Sequence, residues 1–329
     1  MRKRQKTKYK KQNTISYDLI IIGTGPAGLS AALYAFRYKL KTLILGNKVG
    51  GNLLYTLEIE NFPGQKKIKG SELANIFLES IKGNVKILKE EVSEVSRIKN
   101  RFNIRTEKQS FQSRKIILAL GTERGKLKIP GEKEFEKRGV SYCAICDAPL
   151  FKNKTVAVAG GGNAALHAAN LLSLYAKEVF LLARREFRAD PILIDQVKRN
   201  KKIKMFKDIK ILEIKGTDFV AEVILSRKIL GKIKLDVQGV FVEAGIKPDV
   251  KIIKGFKLKK DKKGFIKVND KMETSIPGLY AAGDISTGSS GLRQIVTAAA
   301  EGAIAATSVY RELSTRGGSF NRKERKNGK

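Results

Sequence analysis

The sequence predicts an α/β fold made of two Rossmann-like dinucleotide-binding domains, the second inserted into the first. Three observations predict it. A strand, glycine loop and helix are written twice, as YDLIIIGTGPAGLSAALYAFR from Tyr17 and as TVAVAGGGNAALHAANLLS from Thr155. A further apolar strand follows each copy at equal distance, Gly23 to Gly46 and Gly160 to Ala183 both spanning 23 positions. Finally, TSIPGLYAAGDIS and the small-residue stretch GLRQIVTAAAEGAIAATSVYREL read as a strand and helix that complete the first unit after the second has ended.

In the first copy the glycines are Gly23, Gly25 and Gly28. The first allows a tight turn, the second lets backbone approach a pyrophosphate, and the third lets helix and strand pack closely. The second copy has Gly160, Gly162 and Ala165, the variant with alanine at the third position. Phosphates meet the open N–H groups at such helix starts. Two bound dinucleotides in one chain point to hydride passing between them. The tip of the next strand ordinarily carries an acidic residue for the ribose hydroxyls, and neither copy has one. Arg184, Arg185 and Arg188 follow the second instead. Guanidinium groups there suit a 2′-phosphate; the plain alternative is an exposed basic turn in a Lys/Arg-rich chain.

GKLKIPGE and EAGIKPDV mark the edges of the insertion. The reading assigns 17–124 and 249–315 to the outer domain and 125–248 to the inserted one. Residues 1–16 and 316–329 are basic tails, read as disordered. Asp284 is exposed at the end of AAGD, and a helix is expected from near Arg293, followed by Gln294.

The formal charge is +34 over 329 residues, concentrated in the tails MRKRQKTKYKKQ and RKERKNGK. It can attract nucleic acid or another acidic partner, or be solvated lysine without a target. Electrostatic steering of an acidic protein is a further use. Asp18 interrupts the only stretch resembling a secretory leader, and no uninterrupted apolar run reaches membrane-spanning length. No membrane association is expected.

The chain has two cysteines, Cys143 and Cys146, and one histidine, His167. That count excludes a disulfide scaffold and points to a reducing, cytoplasmic compartment. It also leaves too few ligands for a tetrahedral zinc site, so no metal is expected. His167 falls on the predicted helix after the second glycine loop, on its surface, so acid–base work falls to carboxylates, Tyr, Lys or the thiols. A C-x-x-C pair can form a reversible disulfide with thiols of depressed pKa, especially at a helix start. Asp147, directly after Cys146, reads as a proton carrier or as a helix cap.

Together these segments resemble low-molecular-weight thioredoxin reductase, the FAD-dependent thioredoxin-disulfide reductase family, from Tyr17 to about Leu313. GTGPAGLSAALYA, GGNLLYTLEIENFPG, ALGT, CAICD, GGGNAA, RREFRA, EAGIKP and the AAGD…RQ pair stand in family order. The resemblance implies a homodimer whose FAD domain is split by an NADPH domain that carries the dithiol. It implies FAD contacts at Gly23, Gly25, Gly28, Gly50, Gly51, Asn52, Asp284, Arg293 and Gln294. It implies NADPH contacts at Gly160, Gly162, Asn163, Ala164, Arg184, Arg185 and Arg188. Cys146 would face the flavin, Cys143 would attack oxidised thioredoxin or a similar small dithiol protein, and Asp147 would deliver the proton. Rotation of the inserted domain would use hinges near Leu120–Lys128 and Ala244–Lys251. Two departures leave NADH use open: Ala183 replaces the family's histidine, and only Glu186 and Phe187 separate Arg185 from Arg188. The flavoprotein subunit of alkyl hydroperoxide reductase resembles the same core, but carries a further N-terminal redox domain.

Overall fold

A computed structural model describes residues 15–56, 59–253 and 255–316. The basic tails lie outside these residues, except for Ile15, Ser16 and Arg316. The chain divides into two compact units, Met1–Thr122 with Pro248–Lys329, and Glu123–Lys247.

The outer unit is built on one sheet. Its strands are β1 (Ser16–Ile22), β2 (Thr42–Leu45), β3 (Lys86–Leu88), β4 (Val92–Ile98), β5 (Arg101–Thr106) and β6 (Ser110–Leu118), in the order β3-β2-β1-β6-β5-β4. β3, β2, β1 and β6 run parallel, whereas β5 and β4 are antiparallel. A returning strand, Leu279–Ala281, pairs in parallel with the distal half of β6. Because side chains alternate along a strand, β1 feeds two cores. Leu19 and Ile21 pack with helix α1 (Pro26–Arg37) and with Ala305, Ala306 and Val309 of the C-terminal helix, Ile295–Arg316. Ile20 and Ile22 join Leu43, Ile116 and Leu118 on the opposite face. Burial on both faces explains why β1 reads as an unbroken apolar run. One boundary needs correction: Ser16 pairs with Gln112, so the first strand takes one residue that the sequence assigned to the tail.

The inserted unit opens with β7 (Glu123–Arg124), β8 (Val140–Ser141) and the four-residue helix α2 (Ala144–Asp147). Then come β9 (Thr155–Ala159), α3 (Asn163–Ser173), β10 (Glu178–Leu182), α4 (Pro191–Arg199) and β11 (Ile203–Phe206). It ends with β12 (Ile211–Gly216), β13 (Val220–Ile229), β14 (Lys232–Asp236), β15 (Gly239–Val242) and β16 (Ile246–Lys247). The parallel sheet has the order β11-β10-β9-β15-β8, an antiparallel meander β12-β13-β14 packs beside it, and β7 pairs with β16 as a two-stranded ribbon. Both glycine loops therefore leave the C-terminal end of a central parallel strand, where open α/β sheets bind their ligands.

Candidate functional site

In the outer unit, β1 stops at Ile22 and α1 starts at Pro26, so the glycine loop fills three residues. Gly23 has φ +118°, and a Cβ there would lie 2.0 Å from the Ala119 carbonyl oxygen. A Cβ on Gly28 would lie 1.9 Å from the Gly23 carbonyl oxygen. These two glycines are demanded by the fold. Gly25 is different. Its φ of −80° and ψ of −174° suit any residue, and the nearest atom to an added Cβ, the Gly51 Cα, is 3.9 Å away. The second loop repeats the pattern. A Cβ on Gly160 would strike the Glu243 carbonyl oxygen at 2.4 Å, while Gly162, at φ −101° and ψ 179°, has nothing within 4 Å. No side chain caps α1 or α3, and neither has an acidic residue in its first turn. Each helix thus presents its first N–H groups and its positive dipole end beside an open glycine, a cradle for an anion.

Other predicted residues gather on the first loop. Gly50 and Gly51 take left-handed conformations, the Gly50 N–H donates to the Thr24 carbonyl (2.8 Å), and an added Cβ on Gly51 would lie 3.0 Å from the Gly25 Cα. Asn52 is exposed and its Nδ2 reaches the Thr122 carbonyl at 3.5 Å. From the returning segment, Gly283 lies against the start of α1, where its Cβ would meet the Ala27 Cβ at 2.9 Å, and so brings Asp284 there. Buried Glu301 holds this turn by accepting from the Gly283 N–H and the Ser286 hydroxyl, both at 2.8 Å. Asp284 is half-buried and not exposed as the sequence suggested, because the turn held by Glu301 draws it in; burial pushes its carboxyl above the ordinary range, Arg293 partly offsets this and Glu301 adds to it. The Arg293 guanidinium lies 3.6 Å from the Phe265 ring centroid, and its Nε donates to the Asp284 carbonyl at 3.2 Å. Gln294 accepts from Asn61 Nδ2 at 3.1 Å.

The tip of β2 carries no acid of its own, but the fold brings one in: Asn47, next to Gly46, donates to Glu91 Oε2 at 3.1 Å. Sequence reasoning missed Glu91, because it reaches that tip from the β3–β4 connection, not from the strand that ordinarily bears the carboxylate.

In the inserted unit, Ala183 ends its strand in the core, whereas Arg184, Arg185 and Arg188 are exposed. The short arginine loop folds back onto the glycines, with the Arg188 N–H donating to the Gly161 carbonyl at 2.7 Å. Asn163, first residue of α3, clamps the far side. Its Oδ1 accepts from the Asp190 N–H (2.8 Å) and its Nδ2 donates to Asp190 Oδ2 (3.0 Å). Ala164 follows it, exposed, and so is His167 one turn on. Glu186, inside the arginine loop, pairs with Lys207 at 2.6 Å. Asp190 was not read from the sequence; a Pro at the following helix start was the available signal.

Cys143 and Cys146 form a disulfide with an S–S distance of 2.11 Å. Cys143 is the N-cap of α2, and the Cys146 N–H points at its sulfur at 3.3 Å. Cys146 is exposed and Cys143 half-buried. The Cys146 N–H stays within reach of the Cys143 sulfur as a donor. Asp147 does not cap a helix through its side chain, so that reading is corrected: the sulfur of Cys143 takes the position, and the Asp147 carboxylate turns back to accept from the Ser141 hydroxyl at 2.6 Å. The same hydroxyl oxygen accepts from the Cys143 N–H at 3.0 Å. Ser141 therefore links the acid to the disulfide loop. It was missed, although a hydroxyl in a buried strand must find partners. The next residue, Tyr142, donates to buried Glu132 at 2.9 Å, and Glu132 also accepts from the N–H groups of Leu127 and Lys128. Burial raises the Tyr142 hydroxyl well above its usual range, with the Glu132 bond adding to it, so it stays a donor.

Residues 17–302 match the family model described as pyridine nucleotide-disulphide oxidoreductase. The thioredoxin reductase of Ureaplasma parvum is 38% identical over 294 residues, covering 88% of this chain and 94% of the relative. That of Bacillus subtilis is 38% identical over 298 residues, covering 89% and 93%. The crystal structure of Lactococcus lactis thioredoxin reductase superposes with a TM-score of 0.86 at 36% identity, over 91% of this chain and 99% of that one. With this match from the first glycine loop into the C-terminal helix, the chain belongs to the pyridine nucleotide-disulphide oxidoreductase family.

Proposed function

We propose that the chain is an NADPH-dependent thioredoxin-disulfide reductase that works through FAD and the Cys143–Cys146 disulfide. The observation that carries this reading is the pair of glycines, Gly25 and Gly162, that neither backbone conformation nor packing requires, in a chain whose only thiols form a disulfide at a helix start. A cradle that any Cβ would enter is what close approach of a pyrophosphate asks for, so the residues fit two dinucleotides.

In this reading Gly23, Gly25, Gly28, Gly50, Gly51, Asn52, Asp284, Arg293 and Gln294 hold FAD, and the Asn47–Glu91 pair supplies the missing ribose acceptor. Gly160, Gly162, Asn163, Ala164, Arg184, Arg185 and Arg188 hold NADPH. The bound flavin supplies a two-electron link between nicotinamide and disulfide. Two electrons and two protons convert the disulfide to two thiols, one of which ionises. The Cys143 thiolate then attacks a sulfur of oxidised thioredoxin and expels the other as thiolate. Cys146 attacks the Cys143 sulfur in that mixed disulfide, releasing reduced thioredoxin and restoring the Cys143–Cys146 bond. Asp147, tethered by Ser141, carries the proton to and from the thiols. The inserted unit pivots where the chain crosses between units, at 122–123 and 247–248.

The enzyme acts as a cytoplasmic homodimer; among the described residues no helix is long and apolar enough to cross a membrane. Ala183 and the short arginine loop leave NADH as a second coenzyme. The test is direct. Purified protein should be yellow, bleach anaerobically with NADPH, and recover on adding oxidised thioredoxin. Correctly folded, colourless protein that takes up no flavin would overturn the proposal. A higher kcat/KM with NADH would overturn the arginine assignment alone, and sedimentation as a monomer the dimer.

A further inference from the structure

The end of the outer sheet opposite the glycine loop also carries a cavity. There, at the start of the parallel strands, a cavity of about 440 Å³ is lined by Arg97, Arg101, Arg114, Lys115, Pro277 and the last turn of the C-terminal helix at Glu312. Its volume lies within the range of small-molecule sites. Four cationic side chains and a single carboxylate line it. Glu312 is taken up by Lys115 at 2.5 Å and by the Tyr280 hydroxyl at 2.7 Å, and Arg114 pairs with Asp18 at 3.5 Å. Of the four cations, two are matched by these pairs, and the positive charges of Arg97 and Arg101 remain.

Those two guanidinium groups are held in place. Both sit on the β4–β5 hairpin, where Ile98 pairs with Arg101 across the turn Lys99–Asn100. Arg97 packs over the Phe102 ring at 5.3 Å and donates to the Pro277 carbonyl at 3.4 Å, while Arg101 donates to the Ser16 hydroxyl. These contacts use one nitrogen of each fork and leave others facing out. Two positioned guanidinium forks over a concave, cation-lined floor match a phosphate better than a flat anionic surface. The described residues begin at Ile15, next to Ser16, and the C-terminal helix that carries Glu312 is described to Arg316.

We propose that this cavity is a phosphate-binding site, separate from the dinucleotide loops and independent of the function assigned above. The phosphate comes either from a nucleic-acid backbone or from a small polyphosphate. The test uses the full-length, FAD-loaded protein with saturating NADP+, so that both dinucleotide loops are occupied, and two probes: a fluorescent 12-residue oligothymidylate, followed by anisotropy, and inorganic tripolyphosphate as competitor.

Arg97→Ser with Arg101→Ser should weaken oligonucleotide binding at least tenfold and flatten its salt dependence. Removing the same charge elsewhere on the unit, as Lys262→Ser with Lys263→Ser, should change binding less than twofold. Arg97→Lys keeps the charge, loses the fork and should fall between them, so a folding defect in the serine variant does not decide the matter. Competition by tripolyphosphate supports the cavity, and binding of tripolyphosphate without the oligonucleotide assigns the small anion as its source. Equal losses in both serine pairs, oligonucleotide binding that tripolyphosphate cannot displace, or binding only to anionic lipid vesicles would each overturn it.

Discussion

Alanine at Gly25 should leave the fold intact and empty the flavin site. The local backbone already suits alanine, and its methyl group would sit 3.9 Å from its nearest neighbour, so no internal clash arises. Reduced freedom of the unfolded chain favours Gly→Ala by roughly 0.4–1 kcal/mol, while a worse N-cap costs about as much. Apoprotein stability should therefore move by less than about 1 kcal/mol. The methyl group instead fills the approach to the first N–H groups of α1. Loss of one or two hydrogen bonds to a charged phosphate, at about 1.5–3 kcal/mol each, weakens FAD by roughly 100-fold or more. The assay is flavin fluorescence titration of apoprotein, alongside thermal unfolding with and without FAD. Gly162→Ala is the internal control: it should keep FAD and lose NADPH by a similar factor. By contrast, Gly23→Ala should not fold, since its Cβ would lie 2.0 Å from a carbonyl oxygen in a left-handed backbone. If Gly25→Ala binds FAD with unchanged Kd, the reasoning from the open glycine is wrong.

Three further outcomes follow from the site. Cys146→Ser should keep NADPH-dependent bleaching and lose thioredoxin reduction at least about 1,000-fold, because a lone thiolate cannot close the exchange; normal turnover would refute the relay. Ser141→Ala should slow turnover about tenfold, the equivalent of one hydrogen bond of about 1.4 kcal/mol, leave the coenzyme KM unchanged, and recover in Ser141→Thr. Asp284→Asn should stabilise the apoprotein yet weaken FAD. Burial raises the folded-state pKa of this acid, so stability is lost as pH climbs from about 4, the unfolded value, through the folded one. The variant's gain in Tm should be present at pH 7 and shrink as pH falls toward 4; a gain independent of pH would refute that cause.

The two glycine loops were legible because their demands are local: a turn, a helix start and a strand at fixed spacing all leave marks within a few residues. The same holds for Cys143 and Cys146. What could not be read was assembled across space. Glu91 meets Asn47 from another strand connection, Asp190 meets Asn163 across 27 positions, and Glu301 grips Gly283 and Ser286 from the C-terminal helix. Ser141 lay within the quoted dithiol segment, but its partner depended on which way a two-residue strand faced. The sequence suggests a helix start and so a capping alternative for Asp147, whereas Cys143 caps the four-residue helix and Asp147 precedes the next turn without a capping bond from its side chain.

The ribbon at the neck of the inserted unit has a consequence for how such a chain can be taken apart. Ile246 pairs with Arg124, Lys247 with Glu123, and the Gly125 N–H donates to the Gly245 carbonyl at 2.7 Å. The two ends of the cassette are thus stapled side by side, about one strand spacing apart, roughly 5 Å. Thr122 and Pro248 of the host flank the paired residues Glu123 and Lys247, so excision should open a short gap that a few glycines close with little entropic penalty. The insertion thus enters and leaves the host chain at one point.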